Sequence, residues 1–352
     1  MNRFDYIRPA SVPEAVAAAA VPGSAYLAAG TNLVDLMKGG AARPERIIDI
    51  TRLPGLDHIE WLADGGVRIG ALVRNSDLAY DEHFARTFPS AAEALLSGAS
   101  AQLRNAATVG GNLMQRTRCA YFHDLAGACN RRVPGSGCDA LEGENRLHAV
   151  LGWSEHCIAT HPSDFCVPLV ALDAVVEVEG PHGGREIALD ALHMLPGSTP
   201  EQETALMPGE LIVAIRLPAE AAAFSRNARY LKLRERTSYA FAVVSAATAL
   251  EIEDGVIRAA RIALGGVAAK PWRARDAEAL LVDRTASPEA FAMAANLALA
   301  EARPSGDNAF KIELARRIVV RALSLAVEGT PEFMPALPAS PFSTVTGANH
   351  VA

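Results

Sequence analysis

Residues 107–119 read Ala-Thr-Val-Gly-Gly-Asn-Leu-Met-Gln-Arg-Thr-Arg-Cys. A hydroxyl at Thr108 ahead of Gly110 and Gly111 lets the backbone approach an anion closely. The stretch ends on Cys119, the first of four cysteines spaced C-x9-C-x8-C-x18-C, at Cys119, Cys129, Cys138 and Cys157. Zinc sites usually bring thiolates in close pairs such as C-x2-C, and no such pair occurs here. An iron–sulfur cube is larger, so single cysteines on a wrapping loop can each take one iron. Gly127, Pro134, Gly135, Gly137 and Gly143 permit the turns of such a loop, and Arg116, Arg118, Arg131, Arg132 and Arg146 would offset a cluster's negative charge. Spacing by itself leaves an iron–sulfur cluster and a structural zinc equally open. The fifth cysteine, Cys166, lies in the apolar run Cys-Val-Pro-Leu-Val-Ala-Leu and reads as a small buried hydrophobe. His123, His148, His156 and His161 read as hydrogen-bonding surface residues, outside the ligand set.

A second anion loop lies upstream. Residues 26–35 read Tyr-Leu-Ala-Ala-Gly-Thr-Asn-Leu-Val-Asp, a strand breaking through small residues into a helix. Amides at such a junction point outward with the positive end of the helix dipole behind them. Neither G-x-G-x-x-G nor G-x-x-x-x-G-K-[ST] occurs, so a Rossmann fingerprint and a P-loop are both missing from the sequence. Each loop singly is what any strand–helix turn uses. Two on one chain, the second running into the cysteine loop, point to a phosphate-bearing ligand.

Around these loops the pattern predicts a mixed chain. Ser11 and Glu14 form a capping box, and strands are expected over 26–29 and 46–50, with a helix over 33–38. A strand over 67–70 and a helix over 91–96 precede an irregular stretch from 110 to about 163, long enough to be functional. Strands over 174–179 and 210–216 follow, then an antiparallel hairpin, 241–252 with 256–264, around Glu253-Asp254-Gly255. Helices are expected over 276–281, 288–302 and 308–327, and the Pro-, Ser- and Thr-rich end reads as an extended tail. At 352 residues the chain fits two or three domains. Its formal net charge of -7 gives no basic footprint for nucleic acid. No apolar run reaches the roughly 18 residues that span a membrane, and the first residues carry no export signal. Five cysteines, an odd number in a chain this long, argue against a disulfide framework.

The sequence resembles the flavin-binding medium subunit of the molybdenum hydroxylase family, the xanthine dehydrogenase and aldehyde oxidoreductase group. YLAAGTNLVDLMKGG (26–40) resembles that family's first flavin-diphosphate loop and ATVGGNLMQRTRC (107–119) its second. HPSDFCVPLVALDA (161–174) resembles the segment whose aspartate meets the flavin, and RYLKLRERTSYAFAVVSAA (229–247) the start of the carboxy-terminal domain. The match is collinear over residues 3 to about 327. Within the family the chain resembles in particular the flavin subunits of bacterial periplasmic aldehyde oxidoreductases, where the inserted cysteine loop holds a [4Fe-4S] cluster.

The resemblance implies an α+β fold: a two-part FAD-binding domain of the PCMH (vanillyl-alcohol-oxidase-like) type, then a domain of antiparallel strands and helices. The implied division is 1–60 and 61–225 for the two FAD-binding parts, with the iron–sulfur loop inserted at about 115–160. The carboxy-terminal domain would span 226–328 and the tail 329–352. FAD would be held by Ala28, Ala29, Gly30, Thr31, Asn32, Leu33 and Val34, and by Thr108, Gly111, Asn112, Gln115 and Arg118. Asp164, Ile212 and Lys232 would lie by the flavin, with Tyr239 beside it, and Cys119, Cys129, Cys138 and Cys157 would ligate the cluster. Ala29 departs from a common glycine, and Val243 stands where xanthine dehydrogenases carry a second lysine, which points away from NAD as acceptor.

The function implied is electron transfer. Electrons from a large molybdopterin-binding subunit, passed by a small [2Fe-2S] subunit, would leave through FAD to an external acceptor. The compartment would be cytoplasmic, or periplasmic by co-export with a partner carrying a twin-arginine signal. Two other readings are a zinc-stapled assembly subunit and a self-sufficient FAD oxidase. Against the second, neither glycine loop offers a histidine or cysteine before Cys119 for covalent flavin attachment.

Overall fold

The structure is a computed structural model and describes residues 1–331; the tail expected over 329–352 lies outside the described residues from 332 onward. Among the described residues twelve strands form three sheets. Strands β1 (Asp5–Ile7), β2 (Ser24–Leu27) and β3 (Arg46–Asp49) make a parallel sheet in the order β1-β3-β2. The helix Val12–Ala19 covers it with Ala15 and Val16 against Ile48. Half of the expected capping box is present: Ser11 Oγ accepts from Glu14 N, while the Glu14 carboxylate reaches one residue further back and accepts from Ala10 N.

Strands β4 (Ile59–Trp61), β5 (Val67–Gly70), β6 (Val175–Gly180), β7 (Gly183–Ala188) and β8 (Leu211–Leu217) form an antiparallel sheet in the order β4-β5-β8-β6-β7. Its buried face carries Val67, Ile69, Val176 and Ile215 and packs on the helices Pro89–Ser97 and Cys166–Ala171. The 104 residues between β5 and β6 (71–174) contain both helices, the second glycine loop and all four loop cysteines.

Strands β9 (Ala228–Leu233), β10 (Val244–Glu253), β11 (Val256–Gly265) and β12 (Trp272–Arg273) make the last sheet, antiparallel in the order β12-β11-β10-β9. Its period of two decides what each face meets. Val244, Ala246, Leu250, Ile262 and Leu264 face the helices Pro288–Ala298 and Phe310–Glu328. Ala247, Ala263 and Tyr230, on the other face, pack on Ala94, Val167 and Ala171 of the preceding domain. Small residues on both sides bring the two domains close there, and the acid Glu93, buried in that seam, accepts from Arg229 and from Tyr230 N. No helix among the described residues is long and apolar enough to cross a membrane.

Strand 26–29 is displaced to Ser24–Leu27, because residues 28–32 leave the ladder to form the first loop. The helix expected over 288–302 stops at Ala298. The stretch 110–163 is nearly free of regular structure, holding only the short helices Val109–Leu113, Ala120–His123 and Asp139–Leu141.

Candidate flavin cleft and cysteine pocket

The two glycine loops and the strand β9 converge on one cleft of about 880 Å³. Thr31, Asn32 and Asp35 come from the first loop, Gly111, Asn112, Gln115 and Arg118 from the second, and Asp164 and Lys232 from the domain seam. Tyr239, Phe241 and Val243 line it from the carboxy-terminal side. Gly30 turns the first loop with φ +76°, and its backbone oxygen accepts from Val34 N. Ala28, Ala29, Leu33 and Val34 shape this loop without lining the cleft. Thr108 caps the helix Val109–Leu113, its Oγ1 accepting from Gly111 N at 3.2 Å. Gly110 N donates to Ala71 O at 2.9 Å, and a Cβ on Gly110 would stand 2.9 Å from Ala71 Cβ. That glycine lets the second loop lie against the end of β5. Ile212 is buried in β8 opposite Val178 and does not line the cleft.

The second loop is knit to its surroundings. Asn112 Oδ1 accepts from Gln115 Nε2 at 2.6 Å and from Ser163 Oγ at 2.7 Å. Arg116 N donates to Asn32 Oδ1, tying the two loops together. Arg118 pairs with Asp35 at 3.2 Å and stacks its guanidinium 5.1 Å from the Phe241 ring. Five polar atoms on the cleft wall are buried without a hydrogen-bond partner: Asn32 Nδ2, Arg118 Nε, Arg104 Nε, Asn75 Oδ1 and His148 Nδ1. Three are donors. Buried polar atoms are normally satisfied, so the wall is built for a ligand rich in acceptor oxygens, and the dinucleotide diphosphate and ribityl chain of FAD supply them. The residues present fit the group.

At the seam Asp164 accepts from Lys232 Nζ at 2.7 Å and from Tyr230 OH at 2.6 Å. Burial, then the adjacent carboxylate, pushes the Tyr230 phenol well above its ordinary value, so it stays a donor. Asp164 is not the cap of the helix Cys166–Ala171; that role falls to Ser163, whose Oγ accepts from Cys166 N. Lys232 is a buried strand residue that also donates to Ser97 O, and its side chain is 3% exposed. Tyr230 is the functional candidate that sequence reasoning missed. It lies two positions before Lys232 on β9, which puts both on one face. Asn75 and Arg104 carried no motif.

The four loop cysteines are free thiols and line one small pocket with Phe122, Asn130 and Arg131. Residues 129 and 138 pair as an isolated antiparallel bridge. Burial, followed by the neighbouring Cys129 and Cys157, pushes the Cys119 thiol up to about 11. A bare thiolate is therefore disfavoured, and a bound metal would be needed to hold it deprotonated. Backbone amides of Phe122 and Tyr121 face Cys119, those of Ala140 and Ile158 face Cys138, and the Arg131 guanidinium faces Cys157. Cys119 also lines the flavin cleft.

Two expectations about this loop need correction. Of the five arginines, Arg131 is the one set against the cysteine pocket. Arg116 pairs with Glu203, Arg118 with Asp35 and Arg146 with Glu235. Arg132 donates to the carbonyls of Tyr121, Phe122, Asp124 and Gly127. An irregular loop leaves carbonyls unpaired, and a five-donor guanidinium satisfies several at once. Nor are all four histidines on the surface. His156 is exposed, but His148 is buried under the helix Phe310–Glu328, with Nε2 3.1 Å from Cys119 Sγ. His161 is partly buried, its ring centroid 4.2 Å from that of His193.

Among the described residues, the ligand atoms of His161, Cys166 and His193 form the one set of three lying within 4.8 Å of one another. The four loop sulfurs are spread more widely. His193 Nε2 is bonded to Leu113 O and His161 Nδ1 takes the Ser163 N–H, while His161 Nε2 and His193 Nδ1 are buried without a partner. Burial holds both neutral, with His193 lowered to about 4. Cys166 is fully buried in the core, as its apolar context implies, and burial pushes its thiol up to about 12.

Comparison with known proteins agrees with this geometry. Residues 2–220 match the FAD binding domain in molybdopterin dehydrogenase, and residues 229–326 match the CO dehydrogenase flavoprotein C-terminal domain. The chain is 50% identical over 328 residues to the aldehyde oxidoreductase FAD-binding subunit PaoB of Escherichia coli (strain K12), covering 93% of this chain and 99% of that protein. It is 30% identical over 331 residues to the carbon monoxide dehydrogenase medium chain of Hydrogenophaga pseudoflava, covering 92% and 97%. A solved carbon monoxide dehydrogenase structure from that organism superposes with a TM-score of 0.73 at 30% identity, over 93% of this chain and 98% of the other. The chain belongs to the FAD-binding medium subunits of the molybdenum hydroxylase family.

Proposed function

We propose that the chain is the electron-transfer subunit of a heterotrimeric, molybdenum-dependent aldehyde oxidoreductase, with FAD in the cleft and a [4Fe-4S] cluster in the cysteine pocket. The observation that carries this reading is adjacency: Cys119 belongs to the wall of both cavities. Width argues for a cluster over zinc. Four sulfurs about 2.3 Å from one zinc stand about 3.8 Å apart, whereas no three of these lie within 4.8 Å of one another. The aldehyde assignment rests on the near full-length similarity to PaoB.

When bound, FAD supplies interconversion between one- and two-electron transfer, and the cluster a one-electron centre beside it. The chain's own residues bind and orient. Asn32 Nδ2 and Arg118 Nε would be donors for the diphosphate, and the Tyr230–Asp164–Lys232 network fixes the seam end of the cleft. Partners would be a large molybdopterin-binding subunit and a small [2Fe-2S] subunit. Apolar Val243 on the cleft wall suits an external acceptor other than NAD. The compartment would be the cytoplasm, or the periplasm after co-export with a twin-arginine-bearing partner.

Flavin, iron, acid-labile sulfide and zinc analysis of the purified complex tests the reading. Stoichiometric FAD with iron and sulfide, and aldehyde-dependent bleaching of the flavin band, are expected. Zinc in place of iron, or no flavin, would overturn it.

A further inference from the structure

We propose that His148 tunes the cluster from its flavin-facing side by donating Nε2–H to Cys119 Sγ. The inference rests on the [4Fe-4S] reading above. His148 Nε2 lies 3.1 Å from that sulfur, and the residue is 8% exposed. Among the described residues this is the one imidazole within hydrogen-bond distance of a loop-cysteine sulfur. His148 and Cys119 both line the flavin cleft.

The ring is held from the carboxy-terminal domain. Lys311 Nζ donates to the His148 carbonyl at 2.8 Å and Asn308 Nδ2 to the same oxygen at 3.1 Å, while His148 N donates to Asn145 O at 2.9 Å. The backbone that carries the imidazole is thus fixed on both sides, and the ring itself is buried.

A metal-bound thiolate is an anionic acceptor, and an N–H donated to it strengthens as the cluster gains an electron. Hydrogen bonds to sulfur therefore stabilise the reduced state and raise the potential. With its proton on Nε2, the ring presents a lone pair at Nδ1. That atom is buried and has no partner.

The test uses the whole complex, with cluster and flavin potentials read by EPR- and absorbance-monitored redox titration, beside iron content. His148→Leu and His148→Met remove the donor, and His148→Gln keeps one. Expected are retained iron and a lower cluster midpoint in the Leu and Met variants, of the order of a tenfold change in the reduction equilibrium, about 59 mV for one electron, with recovery toward the original value in Gln. Unchanged midpoints in iron-retaining Leu or Met variants overturn the proposal. So does loss of iron from all three variants, which would make His148 only a structural support. An unmodified complex without iron overturns the cluster reading itself, and with it this one.

Discussion

Lys232 Nζ and Asp164 Oδ2 meet at 2.7 Å across the seam between the two domains, both side chains under a tenth exposed. Lys232 comes from β9, Asp164 from the turn that follows the cysteine loop, and Tyr230 OH completes the carboxylate's contacts. The flavin cleft is thus closed at one end by an ion pair that exists only when the two domains are docked.

Removing one partner of such a pair leaves a buried charge uncompensated, at about 3–5 kcal/mol. Asp164→Asn is expected to lower the melting temperature and to release flavin during gel filtration. The double variant Asp164→Asn, Lys232→Met, which buries no charge, should regain most of the lost stability but not the flavin. Thermal melts and the flavin-to-protein absorbance ratio distinguish the two effects. Equal flavin retention in all three proteins would show that the pair serves docking alone.

Gly110 sets the distance between the second loop and β5. A methyl there would stand 2.9 Å from Ala71 Cβ and 3.0 Å from Ala71 O, and backbone cannot step aside as a side-chain tip can. Gly110→Ala is expected to destabilise by about 1–3 kcal/mol through overpacking and to weaken FAD binding at least tenfold. Reconstitution of the flavin-stripped complex, followed by fluorescence quenching, measures it.

The residues at which sequence reasoning worked, and those where it did not, separate by range. The Thr108 and Gly110 signals are local, marking a turn where backbone can come close to its surroundings; that Thr108 caps a helix and that Gly110 lies against Ala71 is added by the structure. The hairpin was equally local, with Asp254-Gly255 supplying the turn between β10 and β11. Lys232 could be a solvated strand residue on sequence alone, because its burial is decided by Ser97 and Asp164, more than 60 residues away. The arginines were misread for the same reason. A run of basic residues looks like a counter-charge, but Glu203 and Asp35, brought in by the fold, take two of them and loop carbonyls take Arg132. His148 looked like a surface residue because nothing near it in sequence announces the helix Phe310–Glu328 that covers it.

Arg132 holds the cysteine loop in place of secondary structure. Nη1 reaches Tyr121 O at 2.7 Å, Phe122 O at 2.9 Å and Asp124 O at 2.7 Å, and Nη2 reaches Gly127 O. Lysine keeps the charge but has neither the reach nor the fork geometry to bridge these carbonyls. Arg132→Lys is expected to cost about 1.5–3 kcal/mol in charge-assisted hydrogen bonds and to make the loop a preferred cleavage site in limited proteolysis. Iron should be lost faster to a chelator than in the unmodified complex. Cys166→Ala, outside the pocket, should leave that rate unchanged.

Lys311 is fully buried on the helix Phe310–Glu328 and donates to the carbonyls of Leu147, His148 and Gly266 at 2.7–2.9 Å. Burial pushes its ammonium down from 10.5 to about 7. Below pH 7 the folded and unfolded chains both carry the proton, and folding bears the full cost of burying the charge. Between about pH 7 and 10.5 the unfolded chain holds a proton that the folded chain has released, so stability rises with pH across that window. Lys311→Met removes this titration while taking a donor from three carbonyls, of which that of His148 keeps Asn308 Nδ2, so the variant is expected to melt lower. The gap between the two melting temperatures should widen as pH is raised from 7 to 10 and stay level below 7. A gap that stays constant across the alkaline range would mean that the three carbonyls keep the ammonium charged, outweighing its burial.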